Sequence, residues 1–214
     1  MYTGIIKSEL PNNIPERILV HLDKVQSSGN RLVKLVDGIL TYSSQKSEQI
    51  VYEDVDLNEV IKNIESDLEL MIHEKNAVIN TKELNVVKGS SFMLYQMFYN
   101  LINNALKFSR QEVNTIIEIS SSIVNGNEIK DALLTEKAYH EIIVKDNGIG
   151  FDQSQADNIF STFKRLNSKA HYEGTGLGLS LVKSIIEKHE GLINAYGEIN
   201  VGSTFKIYLP QSLT

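Results

Sequence analysis

Between positions 96 and 108 the sequence reads Gln-Met-Phe-Tyr-Asn-Leu-Ile-Asn-Asn-Ala-Leu-Lys-Phe. On a helix, Gln96, Asn100, Asn103, Asn104 and Lys107 share one stripe through spacings of three and four. Met97, Phe98, Leu101, Ile102 and Leu106 fall on the opposite side. Amides on a central helix are expensive to bury without partners. A hard cation bridged to phosphates would supply them, because Asn carbonyls are suitable oxygen donors and Mg²⁺ takes few protein ligands. Taken alone, the stripe reads equally well as a solvent-facing row of amides.

A second stretch, Asp146-Asn147-Gly148-Ile149-Gly150, follows the apolar run Glu141–Lys145. A carboxylate at a strand end points into whatever pocket the sheet forms, where it can accept from an exocyclic amine such as that of adenine. The two glycines let backbone approach a flat ligand closely. The competing reading is an ordinary β-turn. The third stretch, Gly174-Thr175-Gly176-Leu177-Gly178-Leu179-Ser180, runs straight into a predicted helix. Alternate glycines free backbone N–H groups to face an anion, and a helix N-terminus adds its positive dipole end. No Gly-Lys-Ser/Thr follows, which excludes a P-loop, and the glycine spacing is not the dinucleotide fingerprint. Each stretch is weak evidence by itself; the three in this order are not.

The elements that must position them can be read along the chain. Residues 14–47 are predicted to form a long helix in which Ile18, Leu22, Val25, Gly29, Leu32, Val36 and Ile39 repeat every three and four. Leu19, Leu35 and Leu40 widen the stripe as a helical bundle requires, and Pro15 suits the first turn. From residue 50 the pattern changes. Strands are predicted near 51–55, 77–81, 115–124, 141–145, 192–196 and 203–209, with helices at about 56–74, 90–108 and 177–189. Residues 152–173 read as irregular and polar. Helices interleaved with largely hairpin-linked strands predict an α+β domain, a two-layer α/β sandwich.

Composition narrows the classes. The 214 residues carry 21 Lys and Arg against 27 Asp and Glu, a net charge of −6 with the basic residues dispersed. That is no basic stripe, so a nucleic-acid partner is not expected. There is no cysteine, hence no disulfide, thiolate metal site or thiol nucleophile. No apolar run approaches the ~20 residues needed to span a bilayer.

The ordered set Asn100 to Asn104, Asp146 to Gly150, Phe160-Ser-Thr-Phe163 and Gly174 to Gly178 resembles the asparagine, first glycine, phenylalanine and second glycine boxes of sensor histidine kinases. Their ATP-binding fold is shared in outline with gyrase, the mismatch-repair ATPases and the ninety-kilodalton heat-shock chaperone. The resemblance covers about residues 50–210, the ATP-binding catalytic domain being expected over 50–214. It implies ATP and Mg²⁺ as cofactors, with Asp146 reading the adenine amine. Asn100 and Asn104 would hold the metal, and Lys107 would lie near the phosphates. It also implies nucleotide contacts from Gly148, Gly150, Phe163, Gly174, Thr175, Gly176, Leu177 and Gly178. Residues 152–175 would be a lid. Gly202-Ser-Thr204-Phe205 before Leu209-Pro210 resembles the family's usual ending, with Thr204 expected at the nucleotide. Arg165 is a candidate for stabilising transition-state charge.

Arg31 to Ser44 resembles the second helix of the family's dimerisation and phosphoacceptor domain, so residues 1–49 are expected to be a partial one that forms a homodimer. The acceptor motif, a histidine followed by an acid, does not occur: His21 precedes Leu22, and His73, His140, His171 and His189 lie elsewhere. The expectation is therefore a cytoplasmic fragment of a larger sensor kinase. Its acceptor histidine and sensor region would lie outside this chain, and its partner would be a response regulator receiver domain. Gln96, one turn before Asn100, cannot take a proton, whereas the hydrolytic relatives carry a glutamate there. That favours phosphoryl transfer. Two other classes share the motifs in part: an anti-sigma-factor type serine kinase, and a degenerate nucleotide-binding or dimerising module. The heptad seam argues against the first, and the intact boxes against the second.

Overall fold

The computed structural model describes residues 18–19, 50–129, 135–163 and 176–212. The chain divides into two compact units, residues 1–49 and 50–214. In the first, Ile18 and Leu19 are helical and exposed. The rest of the expected long helix lies outside the described residues.

The second unit is built from strands β1 (Glu53–Asp56), β2 (Val78–Thr81), β3 (Val86–Gly89), β4 (Ile116–Asn125), β5 (Ala138–Asp146), β6 (Leu192–Glu198) and β7 (Gly202–Pro210). Its helices are α1 (Leu57–Asp67), α2 (Glu69–Glu74), α3 (Ser91–Lys107) and α4 (Gly178–Lys188). Five strands form one sheet in the order β2-β4-β5-β7-β6, with β2 parallel to β4 and the other pairs antiparallel. A small antiparallel ribbon joins β1 to β3.

The strand alternation explains the two layers. Ile117 and Ile119, Ile142 and Val144, and Phe205, Ile207 and Leu209 are buried on one face. They share a core with Val60, Ile61 and Ile64 of α1, Met97, Phe98, Leu101 and Leu106 of α3, and Val182, Ile185 and Ile186 of α4. The opposite face carries Glu118 paired with Lys145 at 3.5 Å, Glu141 with Lys206 at 3.8 Å, and the Tyr208 hydroxyl donating to Glu141 at 3.0 Å. A sheet apolar on one side and polar on the other covers itself with a single helical layer. The two-layer α+β architecture expected from the sequence is the one observed.

Three details differ from the sequence reading. The helix predicted through residue 74 breaks at Leu68, whose backbone (φ −100°, ψ 8°) leaves the helical region and separates α1 from α2. Strand β3 was not anticipated, because Val86-Val87-Lys88-Gly89 does not alternate apolar with polar residues. Strand β5 extends through Asp146, so that carboxylate stands on the last residue of the strand rather than beyond it.

Candidate functional site

Asp146 ends β5 with its backbone paired to Ser203 of β7. By strand parity it shares a face with Ile142 and Val144, the face that carries the helices. Its Oδ1 accepts from the Gly148 N–H at 2.8 Å and from the Ser203 N–H at 3.3 Å, and the Ser203 hydroxyl adds a side-chain hydrogen bond. Burial pushes the carboxyl above the ordinary carboxylate range, and the bonds from Gly148 and Ser203 pull it partly back. The ionised form therefore costs folding stability above the raised value and is relieved of that cost as pH falls through it.

The loop after Asp146 is locked from several sides. The Asn147 side chain accepts from the Ile116 N–H and donates to the Asn114 carbonyl, both at 2.8 Å. The Ile149 N–H donates to the Phe108 carbonyl at 2.9 Å, and the Asn200 N–H to the Ile149 carbonyl at 2.7 Å. Arg110 donates through Nε to the Asn147 carbonyl at 2.8 Å and through Nη1 to the Asn200 carbonyl at 2.5 Å. Gly150 has φ +62°, and a Cβ there would stand 1.9 Å from the Glu198 carbonyl oxygen. Only glycine fits that position.

On α3, the spacing of the amides does what the sequence predicts. Asn100 donates through Nδ2 to the Gln96 carbonyl at 2.8 Å, which fixes the orientation of its amide. Its Oδ1 faces Gly178, the first residue of α4: a Cβ on Gly178 would lie 2.9 Å from that oxygen and 3.9 Å from Asn104 Nδ2. Helices α3 and α4 pack side by side, so the helix N-terminus and the amide stripe meet. Leu177 caps α4 and its carbonyl accepts from the Ser180 hydroxyl at 2.9 Å. Gly176 accepts from the Phe163 N–H at 3.0 Å, while the Phe163 ring is 66% exposed. Lys107 ends α3 with its ammonium 4.4 Å from the centre of the Phe108 ring.

The structure therefore brings together Gln96, Asn100, Asn104, Leu177 and Gly178 at one end, and Asp146, Gly148 and Gly150 at the other. Helix α3 links them: it carries the amides, and the Phe108 carbonyl that follows it holds Ile149. Arg165, Gly174 and Thr175 lie outside the described residues, as does the second half of the expected lid, residues 164–175. Thr204 pairs with Lys145 and Tyr196, on the sheet face away from Asp146. The residue of β7 that meets Asp146 is Ser203. The signal was available: Phe205, Ile207 and Leu209 alternate as core positions, which puts Ser203 in phase with them and Thr204 out of phase. Asn147 and Arg110 were also passed over as framework residues, and no local pattern marks them.

Residues 89–213 match the family model described as histidine kinase-, DNA gyrase B-, and HSP90-like ATPase. Among curated proteins, cyanobacterial phytochrome A of Nostoc sp. is 33% identical over 176 residues, 82% of this chain and 21% of that protein. The chain thus spans about a fifth of that relative's length. Among solved structures, full-length ShkA in complex with AMPPNP gives a TM-score of 0.72 at 20% identity, over 95% of this chain and 41% of that one. Histidine kinase ThkA in complex with the response regulator protein TrrA gives 0.67 at 22% identity, over 99% and 57%. At those identities the two structures share the fold.

Proposed function

This chain belongs to the family of histidine kinase-, DNA gyrase B- and HSP90-like ATPases, and from that premise we propose that it binds ATP with Mg²⁺ and passes the γ-phosphoryl group to a histidine outside this chain. The observation that carries the reading is the convergence of Asn100 and Asn104 on the N-terminus of α4, together with a half-buried Asp146 oriented by Gly148 and Ser203. Asp146 accepts from the adenine amine. The α4 N-terminus and the backbone around Gly176–Gly178 receive the phosphates.

The metal fits the same end. A Cβ at Gly178 would crowd the Asn100 oxygen, so glycine keeps open the space beside a carbonyl donor whose N–H₂ is already spent on Gln96. Asn100 and Asn104 are the residues that would hold Mg²⁺, which supplies neutralisation of phosphate charge when bound. Gln96 is tied into the helix through its carbonyl and has no basic group to activate water. That supports transfer over hydrolysis.

Two of the five histidines are buried and so unsuited to be the acceptor. His189 is fully buried, with Nε2 accepting from the Ser90 N–H at 3.0 Å and Nδ1 against the Ile185 carbonyl at 2.8 Å. Neither nitrogen is available as a nucleophile. His140 is buried in β5. A response regulator receiver domain, as in the ThkA complex, is the proposed recipient of the phosphoryl group. Homodimerisation through residues 14–47 is the proposed assembly. Among the described residues no helix is long and apolar enough to cross a membrane, and the proposed site of action is the cytoplasm.

The test is incubation with γ-labelled ATP and Mg²⁺, alone and with the first dimerisation helix of the parent protein. Label should reach the helix and not this chain, and slowly, because docking in trans forfeits the effective concentration of a tethered acceptor. Acid-labile label on this chain alone, lost in His21→Ala, would contradict an external acceptor. Steady phosphate release without any acceptor would move the protein to the hydrolytic branch.

A further inference from the structure

We infer that Arg110 is a positioning residue for base recognition, strapping together the two chain segments that orient Asp146. The inference rests on the nucleotide reading above and adds a residue that none of the sequence boxes includes.

The geometry is specific. Asp146 Oδ1 takes one backbone N–H from each of two segments, Gly148 in the loop after β5 and Ser203 at the start of β7. These segments are far apart in sequence, and the second leads out of the tight β6–β7 turn, where Asn200 has φ +62°. Arg110 reaches both from a third place, two residues beyond the end-cap of α3. Its Nε–H holds the carbonyl of Asn147, the residue next to Asp146, and its Nη1–H holds the carbonyl of Asn200, three residues before Ser203. A planar guanidinium offers such divergent donors in a fixed fork, so one side chain sets the spacing of both segments. Phe108, two residues earlier, holds Ile149 through its carbonyl. The exit of the amide-bearing helix is thereby coupled to the carboxylate that reads the base. A lysine has a single ammonium and cannot reproduce the fork.

Positioning matters here because recognition of an exocyclic amine by one carboxylate tolerates little displacement. If the loop and the hairpin drift apart, the two N–H groups no longer converge on Oδ1 and the carboxylate loses its fixed direction. Discrimination between adenine, which offers an amine to Asp146, and guanine, which offers a carbonyl at that position, should then shrink. Phosphate contacts at the other end should be little affected.

The experiment measures dissociation constants of ADP and GDP with Mg²⁺ by calorimetry for the full chain and for Arg110→Ala and Arg110→Lys, with thermal melts of each. The expected result is ADP affinity lowered about fivefold to tenfold in Arg110→Ala, the size of one lost hydrogen bond. The ADP-over-GDP preference should narrow by a similar factor, with partial recovery in Arg110→Lys. Loss of packing alone would weaken both nucleotides in parallel and leave the preference unchanged, so an unchanged preference overturns the inference whether or not the variant melts early. Wild-type affinity and preference in Arg110→Ala overturn it too. Wild-type protein that binds no ADP would bring down the nucleotide reading itself, and this inference with it.

Discussion

The base end and the phosphate end of the site are built from different elements. Around Asp146 the chain spends its own groups freely: Gly148, Ser203, Asn147, Arg110, Phe108 and Asn200 close a net of backbone and side-chain hydrogen bonds. Around Gly178 a helix N-terminus faces two amides, with one amide oxygen turned toward it. The difference follows from what each end recognises. A flat base with fixed donors and acceptors is read by a rigid frame. Phosphates with a divalent cation bring their own strong field, which a helix N-terminus with amide oxygens beside it suits.

Substituting the same residue at both ends is the strongest way to break this comparison. Gly150→Ala places a Cβ 1.9 Å from the Glu198 carbonyl oxygen at φ +62°. It should cost about 3 kcal/mol or more of stability through strain and overpacking, measurable by urea unfolding. A stability loss below the scatter of that assay would show that the base end is softer than described. Next in size, Asn104→Ala should remove the Mg²⁺-dependent part of ATP affinity, roughly 1–3 kcal/mol for a charge-assisted contact, while leaving metal-free ADP binding intact. Equal losses with and without Mg²⁺ would argue that Asn104 serves the fold.

Gly178→Ala should do less to stability, about 1 kcal/mol or less, because alanine favours the helix and the Asn100 amide it crowds can yield at the cost of one hydrogen bond to Gln96. It should nonetheless weaken Mg-ATP more than ADP alone, as titration of both would reveal. The smallest effect concerns a residue at neither end. His189 is held neutral by burial, its affinity for protons lowered, under the far end of α4. Its contribution is complete above its unfolded value of about 6.5 and is lost as pH falls from there through the lower folded value. Thermal melts from pH 8 to pH 5 should show a step that His189→Asn flattens.

How much of this was readable beforehand depends on range. The stripe of α3 was readable because 3.6-residue periodicity is local, and Asp146 because an apolar strand announces its own end. Ser203 was readable in principle through the phase of Phe205, Ile207 and Leu209, yet the motif drew attention to Thr204 instead. Arg110 was not readable at all: its partners, Asn147 and Asn200, lie 37 and 90 residues away, joined only once β5 and β7 have paired. The break at Leu68 is equally silent, since Leu57, Val60, Ile61, Ile64 and Leu68 keep a helical apolar phase across it.

The central claim is that Asp146 reads the base of a nucleotide whose phosphates lie at α4, and calorimetric titration of ADP against wild type and Asp146→Asn tests it most directly. The account predicts ADP binding by wild type that weakens tenfold to a hundredfold in Asp146→Asn, roughly 1–3 kcal/mol for a mismatched buried hydrogen bond, without loss of the folded state. Equal affinity in the two proteins would contradict it.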